Sequence, residues 1–252
     1  MALYDSIGRN YVGFRRPDQR IAAAIDAALG DAASVVNIGA GAGSYEPRGR
    51  TVIAVEPSDV MIRQRAPGAA PCLQESAEAL PLETASVDAA MAVLSIHHWT
   101  DLARGLGEMA RVARKRAVLL TWVPDAAPFW LTEDYFPEIL AHDRKIFPSA
   151  AALIAMLEQM IGRAHIAPVP IPHDCTDGFL CAYWRRPESY LDAEVRSAMS
   201  SFARIDAEAG LARLYADLSS GRWAKRNRHL LALDTLDLGY RLVRCEISSE
   251  NR

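Results

Sequence analysis

Short apolar runs alternate with stretches of helical period along the first half of the chain. Each run has the length of a strand buried in a parallel sheet, and the stretches between the runs place apolar residues three and four positions apart, as a helix does. This alternation predicts an α/β domain built on a parallel sheet. The predicted strands are Val35–Ile38, Thr51–Val55, Cys72–Gln74, Val87–Trp99, Ala117–Val123, His165–Ile171 and Gly239–Ile247.

The predicted helices have recognisable ends. Pro17 and Asp18 open an Ala-rich helical pattern that Gly30 closes. Ser58 or Asp59 is a suitable N-cap for a second helix. A cluster of arginine and lysine residues ends the third helix, and we interpret it as the complement of the helix dipole rather than as a nucleic-acid patch. The two longer helices predicted further along the chain are Asp101–Arg116 and Pro148–Met160.

Three glycines, Gly39, Gly41 and Gly43, follow the first predicted strand at alternate positions. Glycine lets backbone N–H groups approach a ligand without a Cβ atom in the way. Dinucleotide-binding folds use the spacing G-x-G-x-x-G, whereas the spacing here is G-x-G-x-G. Glu56 ends the next apolar run, about where such folds place the acidic residue that accepts hydrogen bonds from ribose hydroxyl groups. The pattern therefore does not match the dinucleotide motif, and the glycines alone are also typical of a tight turn.

The segments Val35–Ser44 and Val52–Ser58 resemble motifs I and II of the class I S-adenosylmethionine-dependent methyltransferases. Two further segments, Gln74–Pro81 and Val87–Trp99, resemble the adenine-binding loop and the fourth strand of that family. The resemblance covers residues 1–123 by motif and the remainder by architecture alone. It is nearest to the small-molecule type that includes the ubiquinone/menaquinone-biosynthesis and trans-aconitate methyltransferases, a type that does not fix the methyl acceptor.

The resemblance implies a doubly wound, Rossmann-like sandwich whose seven-stranded, mostly parallel sheet has an antiparallel last strand. It implies S-adenosyl-L-methionine as the cofactor, S-adenosyl-L-homocysteine as the product and a small molecule as the acceptor. Methyl transfer from this cofactor requires no metal, and no ligand set with recognisable metal-binding spacing occurs in the sequence.

The same resemblance implies roles for individual positions. An arginine of the N-terminal segment would pair with the methionyl carboxylate, and Met61 would face the adenine. Two positions depart from the family: Asn37 stands where an acidic residue is usual, and Ser76 replaces the acid that would bond the adenine amino group. The positions implied for the cofactor are Tyr11, Arg16, Asn37, Gly39, Ala40, Gly41, Gly43, Glu56, Pro57, Ser58, Met61, Ser76, Ala77, Glu78, Leu94 and Ser95.

Two histidines, His97 and His98, follow the fourth predicted strand, where the family brings side chains to the transferring methyl group. Open parallel sheets bind ligands beyond the carboxyl ends of their strands. Histidine titrates near neutral pH, so either residue is a candidate catalytic base. The alternative is that one of them only lines the acceptor pocket, packs against Trp99 or caps the helix that follows.

Residues 172–238 separate the sixth and seventh predicted strands, and their pattern is mostly helical. Long insertions between strands are usually functional, so we expect this one to cover the acceptor site, with residues 1–171 and 239–252 forming the cofactor-binding core. Its His-Asp-Cys sequence at 173–175 invites a metal or nucleophile interpretation that nothing else supports. We expect four side chains of the insertion to shape the acceptor pocket, namely Asp174, Tyr183, Trp184 and Arg186.

The net charge and the cysteine spacing limit the kinds of partner and cell compartment to expect. The net charge of −3 gives no electrostatic reason to expect nucleic acid or an anionic membrane as a partner, and the basic run Arg222–Arg228 is interpreted as a solvated helix face. Four widely spaced cysteines without a C-x-x-C pair are typical of free thiols in a reducing cytoplasm. No apolar run approaches membrane-spanning length and no leader is recognised, so a cytoplasmic enzyme is expected. The oligomeric state is not predicted.

Two other function classes stay open at this point. An NAD-dependent oxidoreductase would leave the segments Gln74–Pro81 and Val87–Trp99 unexplained. It would also need the spacing G-x-G-x-x-G, which the glycine loop lacks. A non-catalytic scaffold with a methyltransferase-like fold is supported only by the two departures, Asn37 and Ser76.

Overall fold

The computed structural model describes residues 11–248, and of Tyr11 and Val12 it describes the backbone alone. The contact predicted for the Tyr11 side chain therefore lies outside the described part of the chain.

Seven strands form one twisted sheet in the order β3-β2-β1-β4-β5-β9-β6. The first five strands pair in parallel, and β9 runs antiparallel to both of its neighbours. The predicted fold class, with its antiparallel last strand, is confirmed. A two-stranded ribbon, β7 with β8, lies apart from the sheet. The strands are β1 Ser34–Ile38, β2 Thr51–Val55, β3 Cys72–Leu73, β4 Val87–Val93, β5 Ala113–Trp122, β6 Ala164–Pro168, β7 Ile171–Pro172, β8 Thr235–Leu236 and β9 Tyr240–Glu246.

The helices pack on both faces of the sheet. Ala89 and Met91 of β4 join the core on one face, whereas the residues between and after them, Ala90 and Ala92, join the core on the other face. This alternation follows from the two-residue period of a strand. The helices are α1 Tyr11–Phe14, α2 Gln19–Leu29, α3 Asp59–Ile62, α4 Leu102–Val112, α5 Pro137–Ile146, α6 Ala150–Met160, α7 Ala193–Ser197, α8 Glu208–Ser219 and α9 Arg222–Arg226.

The predicted caps of α2 and α3 are present. The Asp18 carboxylate accepts a hydrogen bond from the backbone N–H of Arg20, and the Ser58 hydroxyl accepts one from that of Met61. Gly30, with a φ of +55°, ends α2 in the left-handed region that favours glycine.

The prediction places the end of the helix Asp101–Arg116 too far along the chain. Helix α4 ends at Val112, and the chain enters β5 at Ala113 without an intervening turn. Pairing of β5 with β4 and β9 extends the chain where the local pattern favours a helix. The cationic residues that follow are therefore on a strand, where Arg114 pairs with Asp88 and Arg116 with Asp31, and they do not cap a helix.

The predicted sixth strand, His165–Ile171, is divided in the structure. Strand β6 ends at Pro168, and Ile171 belongs to the separate ribbon. Pro168 and Pro170 have no N–H to donate to a strand ladder, which explains the interruption.

The insertion is only partly helical and contains a dense aromatic core. Trp184 and Tyr190 are fully buried there. Trp130, which lies outside the predicted insertion, packs edge-on against Tyr190 and Trp223. The indole N–H of Trp130 donates to the carbonyl oxygen of Trp184 at 2.9 Å. The insertion and the segment around Trp130 therefore form one packed layer on the α2 face of the sheet.

Candidate active site

A cavity of about 620 Å³ opens beyond the carboxyl ends of β1, β2 and β4. This is the position at which open parallel sheets bind ligands, and the volume is within the usual range of small-molecule sites. The loop after β1 forms one wall, Glu56 and Met61 form a second, and the segment from Val93 to Thr100 forms a third.

The loop after β1 approaches the end of β4 closely. The Ser95 hydroxyl donates to the carbonyl oxygen of Ile38 at 2.8 Å. A Cβ atom on Gly39 would lie 2.6 Å from Cβ of Ser95, and Gly39 and Gly41 have φ values of +67° and +52°. Glycine is required at Gly39 on both counts. At Gly41 the conformation alone favours glycine, and a larger side chain would enter the cavity beside Met61.

Glu56 joins the ends of β1 and β2. One carboxylate oxygen accepts the backbone N–H of Gly41 at 2.8 Å, and the other accepts that of Ser58 at 2.9 Å. The residue is 6% exposed and faces the cavity. Because each carboxylate oxygen has two lone pairs, Glu56 can hold these backbone donors and still accept hydrogen bonds from ligand hydroxyl groups.

Asn37 is a buried polar residue without a partner. It is 1% exposed, and neither its amide oxygen nor its amide nitrogen is hydrogen-bonded among the described residues. A buried polar group left in this state costs about 1–3 kcal/mol. Since Asn37 lines the cavity, a ligand with both donor and acceptor groups would satisfy it.

The loop at Ser76, Ala77 and Glu78 lines another part of the cavity. Glu78 accepts hydrogen bonds from the backbone N–H groups of Thr100 and Asp101, at 2.6 and 3.1 Å. Burial opposes ionisation of Glu78, but these hydrogen bonds lower its pKa below the usual value. Glu78 therefore ties its loop to the segment that follows β4. The Ser76 side chain also hydrogen-bonds to Glu78, and Ser76 and Ala77 both line the cavity.

His97 and His98 occupy a short turn after β4. The His97 ring stacks on Phe147 with centroids 4.4 Å apart and contacts the His98 ring at 3.8 Å. Burial, and then the positive charges nearby, lower the pKa of His97 well below its usual value and that of His98 to about 4. Both rings are consequently neutral at neutral pH. Nδ1 of His97 is buried and has no hydrogen-bond partner within residues 11–248.

A network of buried polar groups closes the cavity beside the glycine loop. Nε of Arg15 donates to Asp177 at 2.6 Å, and the Tyr45 hydroxyl donates to the other oxygen of that carboxylate at 2.8 Å. Asp177 is 1% exposed. Arg15 and Tyr45 both line the cavity, so the first loop of the insertion fixes two side chains of the site.

A recess of about 50 Å³ adjoins the main cavity. The two spaces share Arg15, Leu94 and His97. Leu94 has a φ of +53°, which is uncommon for a non-glycine residue and recurs at functional sites. The other walls of the recess are mostly apolar or aromatic, and they include Trp122, Phe147, Phe179, Leu180, Ala198, Met199 and Tyr240.

The structure places most of the residues predicted for the site on the wall of the main cavity. Gly43 and Ser58 do not line the cavity, but the backbone N–H of Ser58 holds the Glu56 carboxylate. Arg16 is exposed and does not reach the cavity, and its neighbour Arg15 does. The predicted residues that line the cavity are Asn37, Gly39, Ala40, Gly41, Glu56, Pro57, Met61, Ser76, Ala77, Glu78, Leu94, Ser95, His97 and His98.

The four insertion residues expected to shape the acceptor pocket do not line either space. Asp174 forms an exposed ion pair with Arg20. Trp184 is fully buried, and Arg186 donates to the carbonyl oxygens of Cys175 and Ala182. That expectation was wrong because Trp184 and Arg186 pack within the insertion, while Asp174 pairs with Arg20 outside it. The sequence reasoning missed several residues that do line the site, among them Arg15, Tyr45, Trp99 and Arg204.

No group of three or more His, Cys, Asp or Glu residues in residues 11–248 is arranged to hold a metal ion. No helix in this part of the chain is long and apolar enough to cross a membrane.

Comparison with known proteins gives a consistent result. The methyltransferase domain family matches residues 36–121. A protein of Anabaena variabilis, named provisionally as a methyltransferase from an antibiotic biosynthesis pathway, is 38% identical, with a TM-score of 0.85 over 92% of this chain and 98% of that one. Comparison with curated proteins gives no match.

Two more distant structures share the fold. An S-adenosylmethionine-dependent methyltransferase of Thermotoga maritima is 16% identical, with a TM-score of 0.53 over 96% of this chain and 91% of that one. Geranyl diphosphate C-methyltransferase of Streptomyces coelicolor, in complex with Mg²⁺, geranyl diphosphate and S-adenosylhomocysteine, is 16% identical. Its TM-score is 0.51 over 91% of this chain and 79% of that one.

Proposed function

Because the chain belongs to the class I S-adenosylmethionine-dependent methyltransferase family, we propose a specific placement of the cofactor in its cavity and a small molecule as the methyl acceptor. The observation that carries the placement is the position of Glu56. Its carboxylate is fixed to the backbone of Gly41 and Ser58 and faces the cavity, where it would accept hydrogen bonds from ligand hydroxyl groups.

The residues of the cavity fit this cofactor. Glu56 would accept hydrogen bonds from the ribose, and Met61, Ser76 and Ala77 would contact the adenine. The unpartnered amide of Asn37 would bond the methionyl part. Asn37 would hold the methionyl part by hydrogen bonds, where the family usually has a negatively charged side chain. An acidic residue at this position is therefore not required for the cofactor to bind.

Arg15 takes the role that the resemblance implied for Arg16. Its guanidinium would pair with the methionyl carboxylate, and Asp177 would position it for that contact. Charge-assisted pairs of this kind are the stronger hydrogen bonds in proteins.

When bound, S-adenosylmethionine supplies the methyl group on a sulfonium centre, and the protein supplies alignment and a dry site. His97 borders both the cavity and the recess. Because its ring is neutral, it can accept a proton from an acceptor that is protonated on binding. A small acceptor is favoured because the recess has a volume of only about 50 Å³ and is bordered by residues of the insertion. We also propose that nucleic acid is not a substrate and that the enzyme is cytoplasmic, where its four free thiols would stay reduced.

Titration calorimetry with S-adenosylhomocysteine tests this placement. Gly41→Val is expected to abolish binding, because the branched side chain would enter the cavity beside Met61. Gly49→Val is the matched control, since Gly49 also has a positive φ, of +77°, but lies in open space away from the cavity. Equal affinity of wild type and Gly41→Val, or binding of NADH in place of S-adenosylhomocysteine, would refute the placement.

A further inference from the structure

The main cavity is lined by one arginine side chain that has no ion-pair partner in the described part of the chain. Two arginines, Arg15 and Arg204, line that cavity. The charge of Arg15 is neutralised by Asp177. Arg204 forms no ion pair with any carboxylate in the described part of the chain, and one of its guanidinium N–H groups donates to Nε2 of His142 at 2.6 Å.

None of the carboxylates nearby forms an ion pair with Arg204 within residues 11–248, although the charge of Asp143 attracts it at longer range. Glu56 accepts the backbone N–H of Gly41, and Glu78 accepts that of Thr100. Asp143 is 1% exposed and accepts a hydrogen bond from the Ser201 hydroxyl, so it lies behind the wall. The positive charge of Arg204 also contributes to the low pKa of both His97 and His98, which places the guanidinium within electrostatic reach of the two rings.

A bound sulfonium adds a further positive charge to this end of the site. A cationic acceptor would be repelled and an anionic group on the acceptor would be attracted, but Arg204 is an exposed residue, so solvent screens part of this interaction. Arg204 is held by His142 rather than by an acid, so its remaining N–H donors can face such a group.

The recess adds a second requirement. Its walls are formed largely by Trp122, Phe147, Phe179, Met199 and Tyr240. A water-sized atom needs roughly 10–15 Å³ of cavity volume, so about 50 Å³ has room for three to five such atoms. A short branched apolar group fits this space, and a complete aromatic ring does not.

From these two features we propose that the methyl acceptor is an amphipathic carboxylic acid, with its carboxylate on Arg204 and a short apolar end in the recess beside His97. The carboxylate is an anchor in this arrangement, and the methylated atom lies elsewhere on the acceptor. The proposal rests on the proposed function, because it takes the remainder of the cavity to be filled by the cofactor.

The test uses protein saturated with S-adenosylhomocysteine and a defined set of probes. The probes are isovalerate and its homologues with one, two and three more methylene groups, each compared with its primary amide by titration calorimetry. The acid of best-fitting length is expected to bind about three- to tenfold more tightly than its amide, as one charge-assisted pair at a partly solvated site allows.

Three variants test whether Arg204 causes the preference for the acid over the amide. Arg204→Gln should reduce the ratio of acid to amide affinity to about one, and Arg204→Lys should restore part of it. Ala198→Leu, which fills the recess, should weaken acid and amide alike and keep the ratio. Arg228→Gln is the control, because Arg228 is an exposed arginine away from the cavity, and it should leave the ratio unchanged.

The outcomes separate this inference from the proposed function. Failure of S-adenosylhomocysteine to bind the wild-type protein refutes the proposed function, and the inference with it. If S-adenosylhomocysteine binds but no acid of the series does, or the ratio survives Arg204→Gln, the inference alone is overturned.

Discussion

Asp177→Asn perturbs the contact that joins the insertion to the proposed methionyl end of the cofactor site. One oxygen of Asp177 accepts from Nε of Arg15 at 2.6 Å and from the backbone N–H of Gly178 at 2.7 Å. The other accepts from the Tyr45 hydroxyl at 2.8 Å. Asparagine can keep the first two contacts through its amide oxygen, but its amide nitrogen cannot accept the third, and the negative charge is lost.

The expected cost follows from burial. The Arg15 and Asp177 side chains are 8% and 1% exposed, and removing one partner of a buried ion pair costs about 3–5 kcal/mol. Because two of the three hydrogen bonds can persist, we expect the free energy of unfolding to fall by about 2–3 kcal/mol. For a chain of this size that lowers Tm by about 4–12 °C.

The effect on binding is measured with two ligands. S-adenosylhomocysteine carries the methionyl carboxylate, whereas 5′-methylthioadenosine has the same nucleoside and thioether without the amino acid. Arg15→Gln should weaken S-adenosylhomocysteine binding about tenfold or more, the worth of a hydrogen bond between charged groups, and leave 5′-methylthioadenosine within about twofold. Asp177→Asn should show the same selectivity at smaller size. The double variant should resemble Arg15→Gln, because Asp177 acts through Arg15.

A matched control lies three residues away. Asp174 also pairs with an arginine, Arg20, but its side chain is 59% exposed, so Asp174→Asn should change stability and both affinities little. Equal losses for the two ligands in Asp177→Asn, or additive effects in the double variant, would show that Arg15 does not serve the carboxylate and would refute the reasoning.

Three further changes test other parts of the structure. His97→Ala should leave S-adenosylhomocysteine affinity nearly unchanged and, if His97 is the base, lower turnover about 10²–10⁴-fold. The wild-type pH–rate profile should then lose activity only well below pH 6.5, and this loss should be absent from the variant. Unchanged turnover would show that His97 has only a packing role. In α4, the methyl group of Gly105→Ala would overlap the Trp99 indole, which lines the cavity, so this change should lower both stability and S-adenosylhomocysteine affinity. Gly107→Ala would meet only the Met160 methyl group at 3.6 Å, and it should raise the free energy of unfolding by up to about 1 kcal/mol in thermal unfolding. Burial raises the pKa of Asp143 from 3.8 to about 6. Between these two values the folded state holds a proton that the unfolded state releases, so stability is lost as pH rises from 3.8 through 6. Asp143→Asn should therefore raise the free energy of unfolding by about 1–3 kcal/mol at pH 7.5 and give no gain at pH 4.

The elements that the sequence predicted well are those whose local and tertiary preferences agree. Strands β1 and β2 are apolar runs that are buried on both faces, and α2 has a cap at each end. The errors lie where tertiary pairing decides. The pattern at Ala113–Arg116 is helical, but two neighbouring strands extend it. The two prolines that follow Ala167 end β6 because they lack ladder donors.

The same distinction applies to the candidate site. Its glycine loop and Glu56 were predictable, because the backbone conformation and the strand end restrict which residues can stand there. Arg15 was missed in favour of Arg16, since adjacent residues face different directions and only the packed structure selects one. Arg204 lies in a short turn with no sequence signal, and it reaches the cavity through the packing of the insertion.

The two ends of the site therefore depend on different parts of the chain. The proposed nucleoside end lies within residues 36–121, the range that the methyltransferase domain family matches. Arg15, Asp177 and Arg204 all lie outside that range. The insertion is attached to the N-terminal segment from both sides, because Asp177 binds Arg15 while Asp18 accepts the backbone N–H of Thr176 at 3.2 Å. If Arg15 binds the methionyl carboxylate as proposed, changes in the loop around Asp177 should weaken binding of that end of the cofactor without disturbing the proposed nucleoside contacts.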